Sequence, residues 1–363
     1  MPVKVLLAGG GTGGHVYPAL AMGDALRARG YELHYYGDAG RLEGRVAAER
    51  GYPFHPVQAV AFPRAGIMGK VRFLFGLLRS VALARTQVKA DAPALVLGVG
   101  GYVMAPTVLA AWTLGIPCVI HEANVAPGLA NRLCARVSKL VLLTYDETRQ
   151  KLAGAEMVTV GCPVNPKILQ GDRAKAAERY GLDPSRPTLL VVGGSLGAAT
   201  LNSLALACAR DPERRYQLLH ICGPRYHDEL KKSYGELPEG VVLVGYEDRM
   251  GDAYALADLV VCRAGSSTLA ELAALGKPSL LIPSPNVTDN HQEHNARGLE
   301  QVGAAVVVLE KGIDTAKVAE KLRSLLAEPE SLQRMAAAAK GLARLDVAEQ
   351  VAELLVGRFL PAP

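Results

Sequence analysis

The chain has 363 residues, of which 50% are apolar and 21% charged, and its formal net charge is +5. This composition excludes intrinsic disorder, collagen-like repeats and coiled coil, and the length corresponds to about two domains of ~150 residues. The small net charge argues against a nucleic-acid coat protein, so we expect no nucleic-acid partner.

The chain begins with a pattern typical of the first unit of a doubly wound sheet. An aliphatic strand over 3–7 leads into the turn Gly9–Gly14 and then into a helical pattern through Arg29. His15 lies at the start of this helix, whose positive dipole end favours a neutral imidazole that can accept a proton from a hydroxyl. A packing or capping role for this histidine stays open.

The N-terminus shows no secretory cleavage site, and the six cysteines show neither a CxxC pair nor the spacing of metal ligands. We therefore expect a cytoplasmic protein with buried thiols.

A basic window lies between Arg50 and Ala90, where seven cations occur without any Asp or Glu. The cations are Arg50, Arg64, Lys70, Arg72, Arg79, Arg85 and Lys89. Residues 71–88 have helical periodicity.

The apolar residues of this window fall into two sets. One predicted helix face, expected to enter the core, carries Val71, Leu74, Phe75, Leu78 and Val81. The set expected to be free for lipid contact is Ile67, Met68, Phe73 and Leu77. Two interpretations stay open: a core helix with solvated arginines, or a surface that docks on an anionic membrane.

Residues 92–121 carry no charged side chain other than a histidine, but glycines and prolines interrupt them. We predict a buried strand over 94–99, a glycine turn, a helix from about Pro106 and a strand over 118–120. His121, Glu122 and Asn124 follow this last strand, at the edge where doubly wound folds bind ligands. A surface turn held by local hydrogen bonds is the alternative.

The same arrangement returns after a proline-rich boundary at 161–166. A strand over 188–192, the glycine loop 193–197 and a helix over 198–209 begin the second half, and a cleft between the halves is the default ligand site. Further strands are predicted over 217–221, 241–244, 259–261, 279–282 and 304–308, and helix over 318–359 apart from a break at 328–329. The fold class is α/β, with two Rossmann-like doubly wound domains.

The segment 263–271 follows a strand and begins a helix that runs through Leu275. Thr268 and Glu271 have the spacing of a capping box. Alternatively, the amides and hydroxyls of 265–268 hold a diphosphate, which leaves Glu271 free for ribose hydroxyls.

The loop 283–296 is rich in amides. Gln292 and Asn295 lie three residues apart, and amides suit the recognition of sugar hydroxyls. His291 and His294 lack a further cysteine or acidic cluster, so we expect no metal and no cofactor.

Together these segments resemble the MurG family, glycosyltransferases that convert lipid I into lipid II in bacterial cell-wall synthesis. Seven motifs occur in matching order: GGGTGGHVYPAL, GGYVMAP, HEANVAPGLANR, GCPVN, GGSLGA, RAGSSTLAELAALGKP and HQEHNA. The resemblance implies a glycosyltransferase B fold, UDP-N-acetylglucosamine as donor, lipid I as acceptor and inversion at the anomeric centre. It also implies peripheral attachment to the anionic inner leaflet, on the cytoplasmic face, beside other cell-wall synthesis proteins.

The resemblance assigns residues to the donor site. These are Thr12, Gly13, Gly14, Asn124, Asn165, Ser195, Ser266, Ser267, Thr268, Leu269, Ala270, Glu271 and Gln292, with the backbone of Glu247 at the uracil. Asn165 stands where the family has arginine, and Leu196 and Ala123 each replace a glutamine.

The chemistry requires one base and a stabilised leaving group. We expect His15 to be the base, Glu122 or His121 to orient it or the acceptor, and Ser195 with 266–268 to hold the diphosphate. The expected domains are 1–161 for acceptor and membrane and 162–340 for the UDP-sugar, while a helix over 341–363 could pack back on the first domain.

Two alternatives remain. An NAD-dependent oxidoreductase would use Gly9, Gly11, Gly14 and Asp38, but it would not need the second glycine loop. A non-catalytic module that binds a nucleotide sugar or a membrane would not need His15 or the His121-Glu122 pair.

Overall fold

The computed structural model describes residues 2–59, 67–287 and 290–363, except the side chains of Ile67 and Lys70. Arg64 therefore lies outside the described residues. The chain forms two compact units, residues 1–164 together with 345–363, and residues 165–344. Within the described ranges, no helix combines the length and apolarity needed to cross a membrane.

The first unit is built on a parallel sheet, in which seven strands are described, in the order β3-β2-β1-β4-β5-β6-β7. The strands β1, β4, β5 and β6 are largely aliphatic and buried, as in other parallel sheets covered by helices, whereas the edge strands β3 and β7 are only partly buried. Their bounds are β1 Lys4–Ala8, β2 Glu32–Gly37, β3 Phe54–Pro56, β4 Leu95–Gly98, β5 Cys118–Glu122, β6 Leu140–Leu143 and β7 Glu156–Thr159.

Helices cover both faces of this sheet. Their bounds are α1 Gly13–Arg27, α2 Leu42–Glu49, α3 Ile67–Asp91, α4 Met104–Thr113 and α5 Leu129–Ala135, with a 3-10 turn over Asp146–Lys151. The last helix of the chain, over 347–359, also belongs to this unit, because Val351 and Leu355 share a core cluster with Leu20 of α1.

The second unit has a parallel sheet whose described order is β10-β9-β8-β11-β12-β13. The strands are β8 Thr188–Val192, β9 Gln217–Ile221, β10 Val241–Val244, β11 Leu259–Cys262, β12 Ser279–Leu281 and β13 Ala305–Val307. Its helices are α6 Arg173–Tyr180, α7 Ala199–Arg210, α8 His227–Tyr234, α9 Met250–Leu256, α10 Ser266–Leu275, α11 His291–Gln301, α12 Thr315–Leu326 and α13 Pro329–Gly341. Short 3-10 turns span Pro166–Gln170 and Pro224–Tyr226. The last helix of the chain, which belongs to the first unit, is α14 Val347–Phe359.

Both sheets reverse their strand order once, between β1 and β4 and between β8 and β11. The prediction of two doubly wound α/β domains is thus confirmed. Most predicted strands agree to within two residues, whereas the C-terminal helical stretch has a second break at 342–346, between α13 and α14. Doubly wound sheets bind ligands where the strand order reverses. The loops beside the two reversals are therefore the candidate ligand sites.

The predicted orientation of α3 is wrong for most of its apolar residues. Four of the five residues of the expected core face are exposed, including Phe75 at 68%, and only Val81 packs against the core. Phe73 and Leu77, expected to be free, are instead half-buried, whereas Met68 is exposed as expected. The buried stripe instead passes through Ser80 and Ala84, where small side chains let α3 and α4 pack closely. Both faces of this helix are apolar in sequence, so periodicity could not select the buried one.

Candidate active site

The first reversal point carries His15. The turn after β1 contacts the loop after β4, since the Gly10 amide donates to the Gly100 carbonyl at 3.4 Å. His15 lies half-buried in the first turn of α1. Among the described residues, no side chain caps this helix and its first turn contains no acid. The positive end of the α1 dipole therefore acts on the imidazole.

A glycine makes room for this imidazole. Gly100 has a φ of +98°, and a Cβ built on it would lie 2.6 Å from Nδ1 of His15. A side chain at position 100 would be strained and would displace the ring. The loop after β4 therefore forms one wall against His15.

A buried carboxylate fills the neighbouring glycine turn. Glu43 of α2 is fully buried and accepts hydrogen bonds from the Gly11 amide at 3.1 and 3.2 Å and from the Asp38 amide at 3.3 Å. A Cβ on Gly10 would lie 2.1 Å from this carboxylate. Sequence reasoning missed Glu43, because a contact between positions 32 residues apart leaves no local pattern.

The position of Glu43 argues against the NAD alternative. A dinucleotide phosphate in this turn would meet a carboxylate that already accepts the Gly11 amide. Asp38, the expected ribose ligand, instead has its carboxylate 3.2 Å from Nε of Arg41.

His121 and Glu122 are buried at the end of β5. Burial lowers the pKa of His121 to about 4, and the neutral ring lies with Nε2 3.0 Å from the Gly161 carbonyl. Burial raises the pKa of Glu122 to about 7, and its carboxylate accepts the amides of Asn124 at 2.8 Å and Gly128 at 3.2 Å. Both side chains make hydrogen bonds inside the first unit, and the expectation that one of them orients the base or the acceptor stays a prediction.

The second reversal point carries the predicted diphosphate site. The glycine loop after β8 presents Ser195 and Leu196 to solvent. Across the reversal, α10 begins at Ser266, with Gly265 at its N-cap. The Ser266 hydroxyl is buried and has no hydrogen-bond partner in the described part of the chain. A helix start with open amides and an unused hydroxyl suits an anion.

The predicted capping box is absent from the described α10. Thr268 lies inside the first turn, since the helix starts two residues earlier, and Leu269 and Ala270 continue it. The Glu271 carboxylate accepts the Tyr254 hydroxyl at 3.0 Å, and burial raises the pKa of Glu271 to about 7. Glu271 is therefore not used as a cap.

Arg263, in the loop between β11 and α10, contacts two other loops at this end of the sheet. Its guanidinium donates to the Ile282 carbonyl at 3.0 Å and pairs with Glu310. Glu310 also accepts the hydroxyl of Thr200 in the first turn of α7. Glu310 was missed because it lies 47 residues beyond Arg263 and carries no motif.

The remaining predicted residues are partly used in local structure. The Glu247 carboxylate accepts the Tyr180 hydroxyl and the Arg249 amide, both at 2.6 Å, which leaves only its backbone for a ligand. The Asn165 side chain accepts the Lys167 amide at 3.1 Å and so caps the 3-10 turn that follows.

The two amides of α11 do not share a sugar-binding face. Gln292 is half-buried and accepts the Ser284 amide at 2.9 Å. Asn295 is buried, with Nδ2 3.4 Å from the Ala264 carbonyl. This contact connects Asn295 to the loop before α10, and its contact with sugar hydroxyls stays a prediction.

Comparison with known proteins identifies the class. The model of the glycosyltransferase family 28 N-terminal domain matches residues 5–143, and that of the C-terminal domain matches residues 188–351. The chain belongs to glycosyltransferase family 28.

The similar proteins identify the group within this family. Relatives from Acidithiobacillus ferrooxidans and Salinibacter ruber are 41% and 39% identical, over 97% and 96% of this chain and 97% and 95% of theirs. Both are named UDP-N-acetylglucosamine--N-acetylmuramyl-(pentapeptide) pyrophosphoryl-undecaprenol N-acetylglucosamine transferase. A crystal structure of Acinetobacter baumannii MurG matches with a TM-score of 0.76 and 30% identity, over 98% of this chain and 100% of that one. The chain is a member of the MurG family of N-acetylglucosaminyltransferases, as its motifs predict.

Proposed function

We propose that this enzyme transfers N-acetylglucosamine from UDP-N-acetylglucosamine to the 4-hydroxyl of the muramoyl sugar of lipid I, which gives lipid II for peptidoglycan. The observation that carries the proposal is that different side chains lie at the two points where the strand order reverses. The first has a histidine at the start of α1. At the second, the part of the chain that the structure describes supplies neither a side-chain cap for α10 nor a hydrogen-bond partner for the buried Ser266 hydroxyl.

The reaction is a single displacement. The 4-oxygen of the acceptor attacks C1 of the donor sugar from the face opposite UDP while His15 takes the hydroxyl proton. The bond from C1 to the β-phosphate oxygen breaks, and UDP leaves with the electron pair. Attack from the opposite face inverts the anomeric centre.

The second unit holds the donor in this proposal. Ser195, Ser266, Ser267 and Thr268 contact the diphosphate, so the α10 amides stabilise the charge that develops on the leaving group. Glu271 accepts the ribose hydroxyls, the Glu247 backbone contacts uracil and Gln292 contacts the sugar. Thr12, Gly13, Gly14 and Asn124 supply further contacts from the first unit.

Sugar transfer to a short-chain lipid I analogue tests the proposal. We expect radiolabel from UDP-N-acetylglucosamine to appear in the lipid product, and UDP-N-acetylglucosamine, unlike NAD, to raise the melting temperature. A rise with NAD alone, or no transfer to the analogue, would contradict the proposed reaction.

We propose further that α3 docks the enzyme on the cytoplasmic face of the membrane. Met68 and Phe75 are 81% and 68% exposed, and Val71, Leu74 and Leu78 extend the same apolar surface. Arg72 and Arg79 are exposed on this helix. Apolar side chains flanked by cations suit an anionic headgroup layer.

Neutralising two of these cations should weaken docking. A cation near an anionic surface contributes about 1 kcal/mol, so the double variant Arg72→Gln, Arg79→Gln should bind anionic vesicles about 30-fold more weakly. Vesicle sedimentation measures this, with Lys231→Gln, Lys232→Gln on the exposed face of α8 as the matched control. Equal binding by the two double variants would remove α3 from the docking role.

A further inference from the structure

Two histidines and an aspartate meet on one face of the first unit's sheet, and the proposed reaction uses none of them. His34 lies on β2, His55 on the neighbouring strand β3, and Asp91 is the last residue of α3. The described residues contain no other group of three or more side chains that could hold a metal ion. We propose that His34, His55 and Asp91 bind one divalent transition metal ion, with zinc as the best match.

The separations of the ligand atoms fit a four-coordinate metal. Nδ1 of His34 lies 3.0 Å from Nε2 of His55 and 3.6 Å from Oδ1 of Asp91. Nε2 of His55 lies 3.5 Å from Oδ2 of Asp91. Two ligand atoms each about 2.1 Å from a tetrahedral zinc ion are separated by about 3.4 Å. The three side chains can therefore reach one ion without a large rearrangement.

The surrounding groups match those that support metal ligands. Nε2 of His34 lies 2.7 Å from the Glu32 carboxylate, the partner that fixes the tautomer of a metal-bound histidine. Asp91 accepts the Tyr36 hydroxyl, and the His55 ring stacks on both His34 and Tyr36. These contacts orient the donor atoms toward one another.

The charge around the three ligands also suits a dication. The carboxylates of Asp91 and Glu32 balance two positive charges, and Asp91 stands at the negative end of the α3 dipole. Lys4 approaches Asp91 only to 3.9 Å, with 29% of its side chain exposed, so this cation can move away.

Imidazole and carboxylate together favour zinc and its first-row neighbours over magnesium or calcium, which take oxygen ligands. The ligand side chains are 8%, 26% and 13% exposed in the order His34, His55 and Asp91. Solvent can therefore reach the site, and a water molecule can complete the coordination.

Metal binding requires no proton to leave the two histidines, because each ring can stay neutral with its proton on the nitrogen that faces away from the ion. With His34 donating from Nε2 to Glu32, the metal-free pair needs the proton on Nε2 of His55. Metal binding moves this proton to Nδ1 of His55, so both rings stay neutral and both facing lone pairs bind the ion. Such an ion would fasten the end of α3 to the edge of the sheet.

Metal titration of the full chain tests the site. After treatment with EDTA and dialysis, we expect the protein to bind one equivalent of zinc and to melt at a higher temperature with it. Cobalt in the same site should give the intense visible bands of a four-coordinate complex.

Variants distinguish a built site from adventitious binding. His55→Phe keeps the ring stack but removes Nε2, and should abolish both the tight zinc equivalent and the cobalt bands. Glu32→Gln should weaken zinc binding about 10–100-fold. His227→Phe in the second unit is the matched control and should bind as the parent protein does. Absence of zinc binding by the parent protein, or unchanged binding by folded His55→Phe and Asp91→Asn variants, would overturn the proposal.

Discussion

Replacing His15 with alanine is expected to lower turnover by about 10²–10⁴-fold, the range for loss of a general base. Binding of UDP-N-acetylglucosamine should be unchanged, because the diphosphate and ribose contacts that we propose lie in the second unit. The His15 ring lies half-buried in the first turn of α1, against the loop of Gly100, and we expect its removal to leave the sheet and its core intact. Steady-state kinetics with a lipid I analogue and calorimetry with the donor measure the two effects separately.

Chemical rescue sharpens this test. Imidazole added to the His15→Ala protein should restore part of the lost turnover, since the vacated space adjoins the loop of Gly100. His227→Ala, on the exposed helix α8, should retain full activity. Full activity of the His15→Ala protein would remove His15 from the role of base.

Local patterns were enough to predict the two sheets and the loops that carry the candidate site. The strands β1 and β8 are each followed at once by a glycine turn and a helix, so three consecutive signals agree within about 25 residues. His15, Ser195 and Ser266 lie on these turns, and their positions beside the strand reversals follow from the topology. Such signals are contiguous in the chain and can be read without knowledge of tertiary contacts.

Contacts between distant positions could not be read in this way. Glu43 bonds a glycine 32 residues earlier, and Arg263 pairs with Glu310 across 47 residues. The group of His34, His55 and Asp91 spans three elements and matches no spacing rule. Burial could not be predicted from local sequence either: His121, Glu122 and Asn295 have polar side chains, but the fold buries all three.

Donor affinity is expected to decrease below about pH 7 because of Glu271. Burial raises the pKa of this carboxyl to about 7 in the free enzyme, and only the ionised form accepts hydrogen bonds from both ribose hydroxyls. Protonation as the pH falls therefore removes an acceptor, and at pH 6 the affinity should be about tenfold below its value at high pH. UDP-N-acetylglucosamine is a diphosphate diester and keeps its charge in this range, so the titration belongs to the protein.

Two substitutions separate Glu271 from other titrating groups. Glu271→Gln should weaken donor binding about 10–100-fold at pH 8, the magnitude of a lost hydrogen bond to a charged group, and should remove the pH dependence near pH 7. Tyr254→Phe deletes the hydroxyl whose hydrogen bond to Glu271 lowers the pKa of that carboxyl. The pKa then rises, and the midpoint of the affinity curve should move to higher pH.

Calorimetry between pH 5.5 and 8.5 measures both effects, with Glu330→Gln on α13 as the control. A midpoint that stays in place in the Tyr254→Phe protein, or a pH dependence that survives Glu271→Gln, would assign the titration to another group, and the ribose contact of Glu271 would lose its support.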